Sequence, residues 1–101
     1  MELIYSNMFW VYILYSEKFD KYYVGQSNDV DRRLLEHNEA EKNSYTSKFR
    51  PWHLIFAIEV SEDRGKAMLL EKFIKAQKSK AFILRLISER KLQENLLRRF
   101  E

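Results

Sequence analysis

Two short runs of aromatic and β-branched residues near the start of the chain constrain its fold more than any other feature. They occupy residues 9–15 and 22–26, and a short polar segment, 16–21, separates them. Aromatic and β-branched side chains pack well on a pleated sheet, and a short polar connection between two such runs indicates a β-hairpin. The fold is therefore expected to begin with two antiparallel strands.

The remainder of the chain predicts helices and one further strand. Ser27 and Asn28 are good N-cap residues for a first helix, and Ser61 is one for a second. The predicted elements are a helix over 29–38, a loop over 39–51, a strand over 52–60, helices over 62–77 and 81–88, and a tail from residue 89 that is also helical. The order β-β-α-β-α-α predicts an α+β domain in which helices flank a small three-stranded sheet, mixed or antiparallel.

Length and composition predict one globular domain over residues 1–101, with a core over about 8–88 and a helical tail over 89–101. The absence of cysteine excludes disulfides and thiolate metal sites and fits a reducing compartment. No run approaches the ~20 apolar residues of a membrane span, so a cytoplasmic protein without membrane contact is expected. Residues 1–7 are either a true extension or an earlier start, because Met8 would begin the domain cleanly.

The net charge of +3 is unevenly distributed along the chain. Residues 1–63 carry seven Lys and Arg against eleven Asp and Glu, whereas residues 64–101 carry eleven against four. A basic half favours a polyanionic partner, because clustered cations attract phosphates and release their counterions. The ordinary alternative is a set of charged helix faces that are simply solvated.

Tyr12 and Tyr23 are the first candidates for chemistry. They stand eleven residues apart across the predicted hairpin, and strand alternation places Tyr22 and Tyr23 on opposite faces, so only one of these can share a surface with Tyr12. A phenol relays a proton or orients a water when its pKa of ~10 is lowered by a cation. The alternative is that Tyr12 and Tyr23 only pack against neighbouring side chains, as most strand tyrosines do.

Arg33 and His37 project from one face of the first helix because they are four residues apart. Arginine offers a forked cation for phosphate oxygens, and histidine titrates near neutrality. Arg32 is rotated away and could pair with Glu36, which is the ordinary surface arrangement. A lone helical histidine is more often structural than catalytic.

Glu71 is the only acidic residue between Asp63 and Glu89, and six basic residues surround it between positions 64 and 80. Mg²⁺ often takes one or two protein carboxylates together with waters and a substrate phosphate, so Glu71 is a candidate metal ligand. An i,i+4 surface pair with Lys75 explains the same pattern equally well.

Basic side chains on the loop and the later helices are expected to contact a phosphate backbone, which positions a substrate without reading its sequence. They are Arg32, Lys48, Arg50, Lys72, Lys75, Lys78 and Lys80. Tyr45 is a candidate for stacking on a base, whereas core packing is the stronger expectation for Trp52. The chain lacks a glycine-rich phosphate loop, and its two histidines without cysteine make a zinc site improbable.

Together these residues resemble the GIY-YIG nuclease family, in particular its small stand-alone bacterial members. The first family motif corresponds to Val11-Tyr12-Ile13 and the second to Tyr23-Val24-Gly25. The family's arginine, its histidine one turn later and its glutamate fall on Arg33, His37 and Glu71, and residues 45–52 resemble the segment before the third strand. The resemblance covers about residues 9–86.

This resemblance implies metal-dependent hydrolysis of nucleic acid, with DNA as the expected substrate and one Mg²⁺ or Mn²⁺ held by Glu71. It implies that Tyr12 or Tyr23 helps to deprotonate a water, that Arg33 neutralises charge on the phosphate and that His37 orients the tyrosine or the phosphate.

Two other functions are compatible with the sequence. One is a nucleic-acid-binding module that keeps the fold with little turnover, although Glu71 would repel phosphate there unless a metal intervened. The other is an interaction protein acting through the basic, Leu-rich tail over 92–100. The chain is also compatible with a protein partner or a homodimer.

Overall fold

A computed structural model describes residues 7–40 and 44–100, and these form an antiparallel three-stranded sheet, one 3₁₀ turn and four helices. The elements are β1 (Phe9–Ser16), β2 (Lys21–Ser27), α1 (Val30–Glu39), the 3₁₀ turn (Thr46–Phe49), β3 (His53–Ser61), α2 (Arg64–Ala76), α3 (Lys80–Ser88) and α4 (Arg90–Arg99). The α+β prediction is confirmed, and the sheet is antiparallel rather than mixed.

The strand β1 lies at the centre of the sheet, between β2 and β3. In the observed register Tyr12 faces Gly25 of β2 on one side and Ala57 of β3 on the other. The hairpin turn closes through Asp20, whose φ of 50° lies in the left-handed region that Asp tolerates better than most residues. The Asp20 carboxylate also pairs with Lys80 at the start of α3, which ties the turn to the helical layer.

Alternation along β1 divides its side chains between two clusters. Val11 and Ile13 point towards α2, α3 and α4, where they join the larger cluster of buried apolar residues. Tyr12 and Leu14 point to the other face, where they pack with Trp52 beneath α1. The central strand therefore supplies the main core from one face and a smaller aromatic cluster from the other. Burying each large apolar side chain contributes roughly 1.5–3 kcal/mol.

The helix N-caps differ from those predicted. Asp29 rather than Ser27 or Asn28 caps α1, and Asp63 rather than Ser61 caps α2. In both places the serine Oγ instead accepts a hydrogen bond from the backbone N–H of the aspartate two residues later. The carboxylate thus stands nearer the first helical turn, where its negative charge also complements the helix dipole.

The C-terminal segment predicted to be a tail contributes to the core. Leu96 of α4 belongs to the larger buried cluster, and Leu92 and Phe100 pack against that cluster. The Phe100 ring lies 5.6 Å from that of Phe73 on α2, measured between centroids. The apolar face that would serve an interaction tail is therefore used within the chain.

The helices are short, and the longest of those described, α2, has 13 residues. Within residues 7–40 and 44–100, none is long and apolar enough to cross a membrane.

Candidate active site

Tyr12 lies at the centre of the candidate site. It is only 1% exposed, and its hydroxyl is 3.0 Å from Nε2 of His37. Burial raises the pKa of Tyr12 to about 12, against the opposing influence of a hydrogen bond with Arg33. The side chain is therefore a neutral phenol at neutral pH, held between a guanidinium and an imidazole.

His37 is buried, with 5% of its surface exposed, and both of its ring nitrogens have partners. Nε2 contacts Tyr12, and Nδ1 lies 3.0 Å from Oγ1 of Thr46 on the 3₁₀ turn. Burial, assisted by the charge of Arg33, lowers the pKa of His37 to about 4. The imidazole is therefore neutral at pH 7, and the three side chains form a continuous hydrogen-bonded chain, Tyr12–His37–Thr46.

Arg33 stands one turn before His37 and remains partly accessible. Its Nη1 donates to Oε1 of Glu36 at 2.6 Å, and this hydrogen bond raises the pKa of the guanidinium. The expected partner of Glu36 was Arg32, which instead lies on the exposed side of α1. The difference has a geometric reason: Arg33 and Glu36, three residues apart, both face the cleft described below.

Tyr23 shares a face of the sheet with Tyr12. Its ring centroid lies 4.6 Å from that of His37 and 6.4 Å from that of Tyr12. Tyr22 points to the other face and packs against Tyr15 at 4.8 Å. Strand alternation is confirmed here, and it brings both candidate tyrosines next to one histidine.

An open cleft of about 360 Å³ lies beside this cluster, between α1 and the 3₁₀ turn. Residues that line it include Tyr23, Arg33, Glu36, His37, Tyr45 and Thr46. One wall therefore carries the Arg33–Glu36 ion pair and a neutral imidazole, and the other carries an exposed aromatic ring. A phosphate with an attached base has complementary groups on both walls.

Glu71 reaches the same region from α2 but borders a neighbouring groove. Lys75 Nζ, which binds the Glu71 carboxylate, lies 5.7 Å from the centroid of the Tyr23 ring, and this contact places Glu71 close to the site. The side chain is 22% exposed, and Oε2 accepts a hydrogen bond from Lys75 Nζ at 3.1 Å. The i,i+4 pair expected as the ordinary alternative is thus formed, while an accessible carboxylate remains at the edge of the site.

Glu71 offers one partly accessible carboxylate, and carboxylate oxygens are the ligands that a hard divalent cation prefers. No group of three or more His, Cys, Asp or Glu residues that could hold a metal occurs within the described part of the chain. A single carboxylate suits Mg²⁺ or Mn²⁺ better than zinc. Mg²⁺ and Mn²⁺ complete their coordination with water and substrate phosphate, whereas zinc requires three or four protein ligands.

The lysines predicted to contact phosphate are exposed. Lys72 and Lys75 lie on α2 beside Glu71, Lys78 follows the end of that helix, and Lys80 begins α3. Lys80 is engaged with Asp20. Lys48 is exposed on the 3₁₀ turn.

Arg50 has a different environment from these lysines. Its Nε donates to the carbonyl oxygen of His37 at 2.6 Å, and its Nη2 donates to that of Ala40 at 2.7 Å. Cations at a helix C-terminus satisfy its last carbonyl groups and complement its dipole. Arg50 therefore holds the end of α1, and through the backbone it holds His37.

Trp52 is a core residue, which confirms that core packing was the better expectation for it than base stacking. It is 2% exposed, and its indole N–H donates to the carbonyl oxygen of Thr46 at 2.8 Å. Its backbone exchanges two hydrogen bonds with the side-chain amide of Asn38. These contacts anchor the 3₁₀ turn against α1 and so fix the position of Thr46.

Three residues of the site were missed from the sequence: Gly25, Glu36 as the partner of Arg33, and Thr46. The strand register places Gly25 opposite Tyr12, and a glycine within an aromatic strand already signals close approach of another group. Thr46 offers no such signal, because its role depends on how the loop folds back onto α1.

The sequence matches one family model and several known bacterial proteins. The family model of the GIY-YIG catalytic domain matches residues 8–84. The chain is 38% identical to UPF0213 protein YazA of Bacillus subtilis (strain 168) over 58 residues, which are 57% of this chain and 58% of that relative. It is 37% identical to a UPF0213 protein of Staphylococcus aureus (strain Mu3) over 68 residues, 67% of this chain and 80% of that relative. The chain thus spans less than two thirds of the length of the Bacillus relative. No solved structure matches the chain.

Proposed function

Because the chain belongs to the GIY-YIG catalytic domain family, a nuclease-type family, we propose that it is a metal-dependent endonuclease that hydrolyses phosphodiester bonds in nucleic acid, with DNA as the expected substrate. The observation that carries the proposal is the chain Tyr12–His37–Thr46, which lies beside Arg33 at an open cleft. A hydrogen-bonded phenol, a neutral base and a fixed cation are the groups that water activation and phosphate binding require.

In this proposal the proton of the attacking water passes to Tyr12, which is buried behind the cleft and is joined to it through the hydrogen bond with the cleft-lining His37. As the water oxygen bonds to phosphorus, its proton moves to the Tyr12 oxygen and the phenolic proton moves to Nε2 of His37. The bond from phosphorus to the leaving oxygen breaks, and that oxygen takes its proton from solvent. The route requires His37 to be neutral, and burial keeps it neutral by lowering its pKa to about 4. The same burial makes the imidazole a weak base, so the route also depends on Arg33 stabilising the charge that develops on the phosphate.

Thr46 supports the same step by fixing the tautomer of His37. With the proton on Nδ1 donated to Oγ1 of Thr46, Nε2 is free to accept from Tyr12. Tyr23 lines the cleft beside the imidazole and forms a wall that limits where the reacting phosphate can lie.

Arg33 supplies a permanent positive charge for the phosphate. Its pairing with Glu36 orients the guanidinium and leaves further N–H donors for non-bridging oxygens. These donors act on charge that develops as the water attacks, so they lower the barrier rather than only bind substrate.

Glu71 would hold the divalent cation, Mg²⁺ or Mn²⁺. When bound, such an ion supplies Lewis-acid stabilisation of the charge on the phosphate. Lys75 now pairs with Oε2 of this carboxylate, so its ammonium would have to move aside for the ion to bind. Exposed basic side chains would position the polyanion around the cleft, and they are Arg32, Lys48, Lys72, Lys75 and Lys78.

The test compares the wild type with Glu71→Gln on labelled single-stranded, duplex and branched DNA, in Mg²⁺, in Mn²⁺ and with EDTA. Glu94→Gln, on α4 away from the cleft, is the matched control. We expect wild type and Glu94→Gln to cleave, and both EDTA and Glu71→Gln to abolish cleavage while DNA binding survives.

Two outcomes contradict the proposal. Equal cleavage by wild type and Glu71→Gln would remove Glu71 from the mechanism. DNA binding without cleavage of any substrate in either metal would instead favour the alternative of a nucleic-acid-binding module with the nuclease fold.

The cytoplasmic location stays a prediction from composition.

A further inference from the structure

Three aromatic side chains form a partly exposed row beside the cleft, which we call the aromatic ridge: Tyr45, Phe49 and Phe19. Tyr45 is 56% exposed and Phe19 is 42% exposed. The Tyr45 and Phe49 centroids are 5.1 Å apart, and those of Phe49 and Phe19 are 5.4 Å apart. The row thus runs from the 3₁₀ turn across to the β1–β2 hairpin turn.

Lysines accompany the ridge along its length. Lys21 Nζ lies 5.2 Å from the Phe49 centroid, and Lys18 Nζ lies 5.5 Å from that of Phe19. Lys48 is exposed between Tyr45 and Phe49 in the sequence of the turn. The row therefore alternates aromatic surface with cations, which is the composition of single-strand binding surfaces.

Two carboxylates belong to the same hairpin turn. Asp20 accepts hydrogen bonds from the Tyr15 hydroxyl and from Lys80, so its charge is already compensated. Glu17 is exposed at the start of the turn. The lysines outnumber these acids, and the ridge carries net positive charge.

The ridge is continuous with the candidate active site. Tyr45 lines the cleft together with Arg33 and His37, so one end of the row is a wall of that cleft. A strand whose phosphate is bound at Arg33 would carry its neighbouring bases directly onto the Tyr45 ring. The other end of the row lies on the β1–β2 hairpin turn.

We propose that the aromatic ridge binds an unpaired segment of nucleic acid, with bases on the rings of Tyr45 and Phe19 and phosphates at Lys18, Lys21 and Lys48. This inference rests on the proposed function, and it defines the substrate class as nucleic acid that is single-stranded next to the scissile bond. Bases inside a duplex do not offer their faces to a protein ring, so the ridge discriminates against continuous duplex.

The experiment measures binding alone, in EDTA and in a Glu71→Gln background. The probes are a short oligothymidylate containing one 2-aminopurine and a fully paired duplex of the same sequence. Tyr45→Leu removes the ring and Tyr45→Phe keeps it, which makes the two variants a matched pair. We expect Tyr45→Leu to weaken single-strand binding by about tenfold, and Phe19→Leu to weaken it as well.

The same variants should leave duplex binding within about twofold, and Tyr45→Phe should bind as the parent does. The 2-aminopurine fluorescence should be quenched by the parent and by Tyr45→Phe, and much less by Tyr45→Leu. Lys21→Gln should reduce the salt dependence of single-strand binding by about 0.7 in the log–log slope, whereas Lys91→Gln on α4 should not.

Either of two results overturns the inference: Tyr45→Leu and Phe19→Leu together bind the single strand as tightly as the parent, or they weaken single-strand and duplex binding equally. Thermal melting of each variant identifies any loss that comes from unfolding. Because no cleavage is measured, a failure here is distinct from a failure of the nuclease proposal.

Discussion

The phenol of Tyr12 lies directly against the α-carbon of Gly25. A Cβ added at position 25 would stand 2.5 Å from both Cζ and the hydroxyl oxygen of Tyr12, closer than side chains tolerate. Tyr12 has little freedom to withdraw, because it is buried and its hydroxyl is bound to His37. The absence of a side chain at Gly25 is thus what allows the phenol to reach its position in the site.

Gly25→Ala should therefore damage both stability and activity. We expect the free energy of unfolding to fall by about 1–3 kcal/mol, the usual effect of overpacking a buried site. Cleavage should fall further, because the Tyr12 hydroxyl is displaced from His37. Gly65→Ala is the control, since its Cβ would meet only the exposed Asp63 carboxylate, at 3.1 Å. Urea unfolding and cleavage assays of both variants measure the difference, and equal effects would refute the explanation.

Stability should decrease in mild acid because of His37. Its pKa is about 4 in the folded protein and about 6.5 in the unfolded chain, so the unfolded state binds more protons as the pH falls between these values. We expect the free energy of unfolding to fall by about 2 kcal/mol between about pH 7 and about pH 5. In His37→Gln this decrease should largely disappear. A decrease of the same size in the variant would assign it to other groups.

Thr46→Val should weaken catalysis by disturbing His37. The substitution keeps the shape of the side chain but removes Oγ1, which leaves Nδ1 of a buried imidazole without that partner. We expect a loss of about 1–3 kcal/mol in stability and at least about tenfold in cleavage rate, with Thr46→Ser restoring most of both. Nitrogen NMR of the His37 ring reports the tautomer directly. An unchanged tautomer in Thr46→Val would contradict the positioning role.

Lys75→Gln should lower the metal concentration needed for activity. The Lys75 ammonium occupies Oε2 of Glu71 and competes with any cation there. Since the pair is partly exposed, the expected gain in metal affinity is about two- to fivefold. Mn²⁺ binding measured by electron paramagnetic resonance without DNA tests this, with Lys72→Gln as the neighbouring control. A weaker affinity in Lys75→Gln than in Lys72→Gln would show that the lysine assists binding.

Arg50→Gln and Lys48→Gln should have opposite signatures. Arg50 donates to carbonyl groups at the end of α1, so its loss should cost about 1.5–3 kcal/mol of stability. Lys48 is exposed, and its loss should change stability by less than about 0.5 kcal/mol while weakening DNA binding. Chemical denaturation and a binding assay on both variants separate the two roles. Equal stabilities would contradict the structural role of Arg50.

Local patterns in the sequence were sufficient for much of the fold. Strand alternation correctly predicted that Tyr22 and Tyr23 lie on opposite faces, and it is Tyr23 that shares a face with Tyr12. Helical spacing correctly predicted that Arg33 and His37 project from one face of α1. Both signals depend on residues close together in the chain, and they also carried the family resemblance that the comparisons bear out.

The loop contacts were not predictable in the same way. Thr46 meets His37 across nine residues, and Arg50 meets the carbonyl group of His37 across 13. These contacts depend on the path of a segment that has no periodicity. The pairing of Glu36 with Arg33 instead of Arg32 has a related cause, because the direction of a side chain is set by its tertiary surroundings.

The division of β1 between two faces has a consequence for how sequences of this kind can vary in length. Val11 and Ile13 serve the helical core, while Tyr12 serves the site from the alternate position. Inserting or deleting one residue within the strand would exchange the two sets, moving the phenol into the core and an aliphatic side chain to the cleft. The packing of the core and the position of the Tyr12 phenol thus depend on the same register of β1. Insertions are therefore tolerable only in the turns outside this strand.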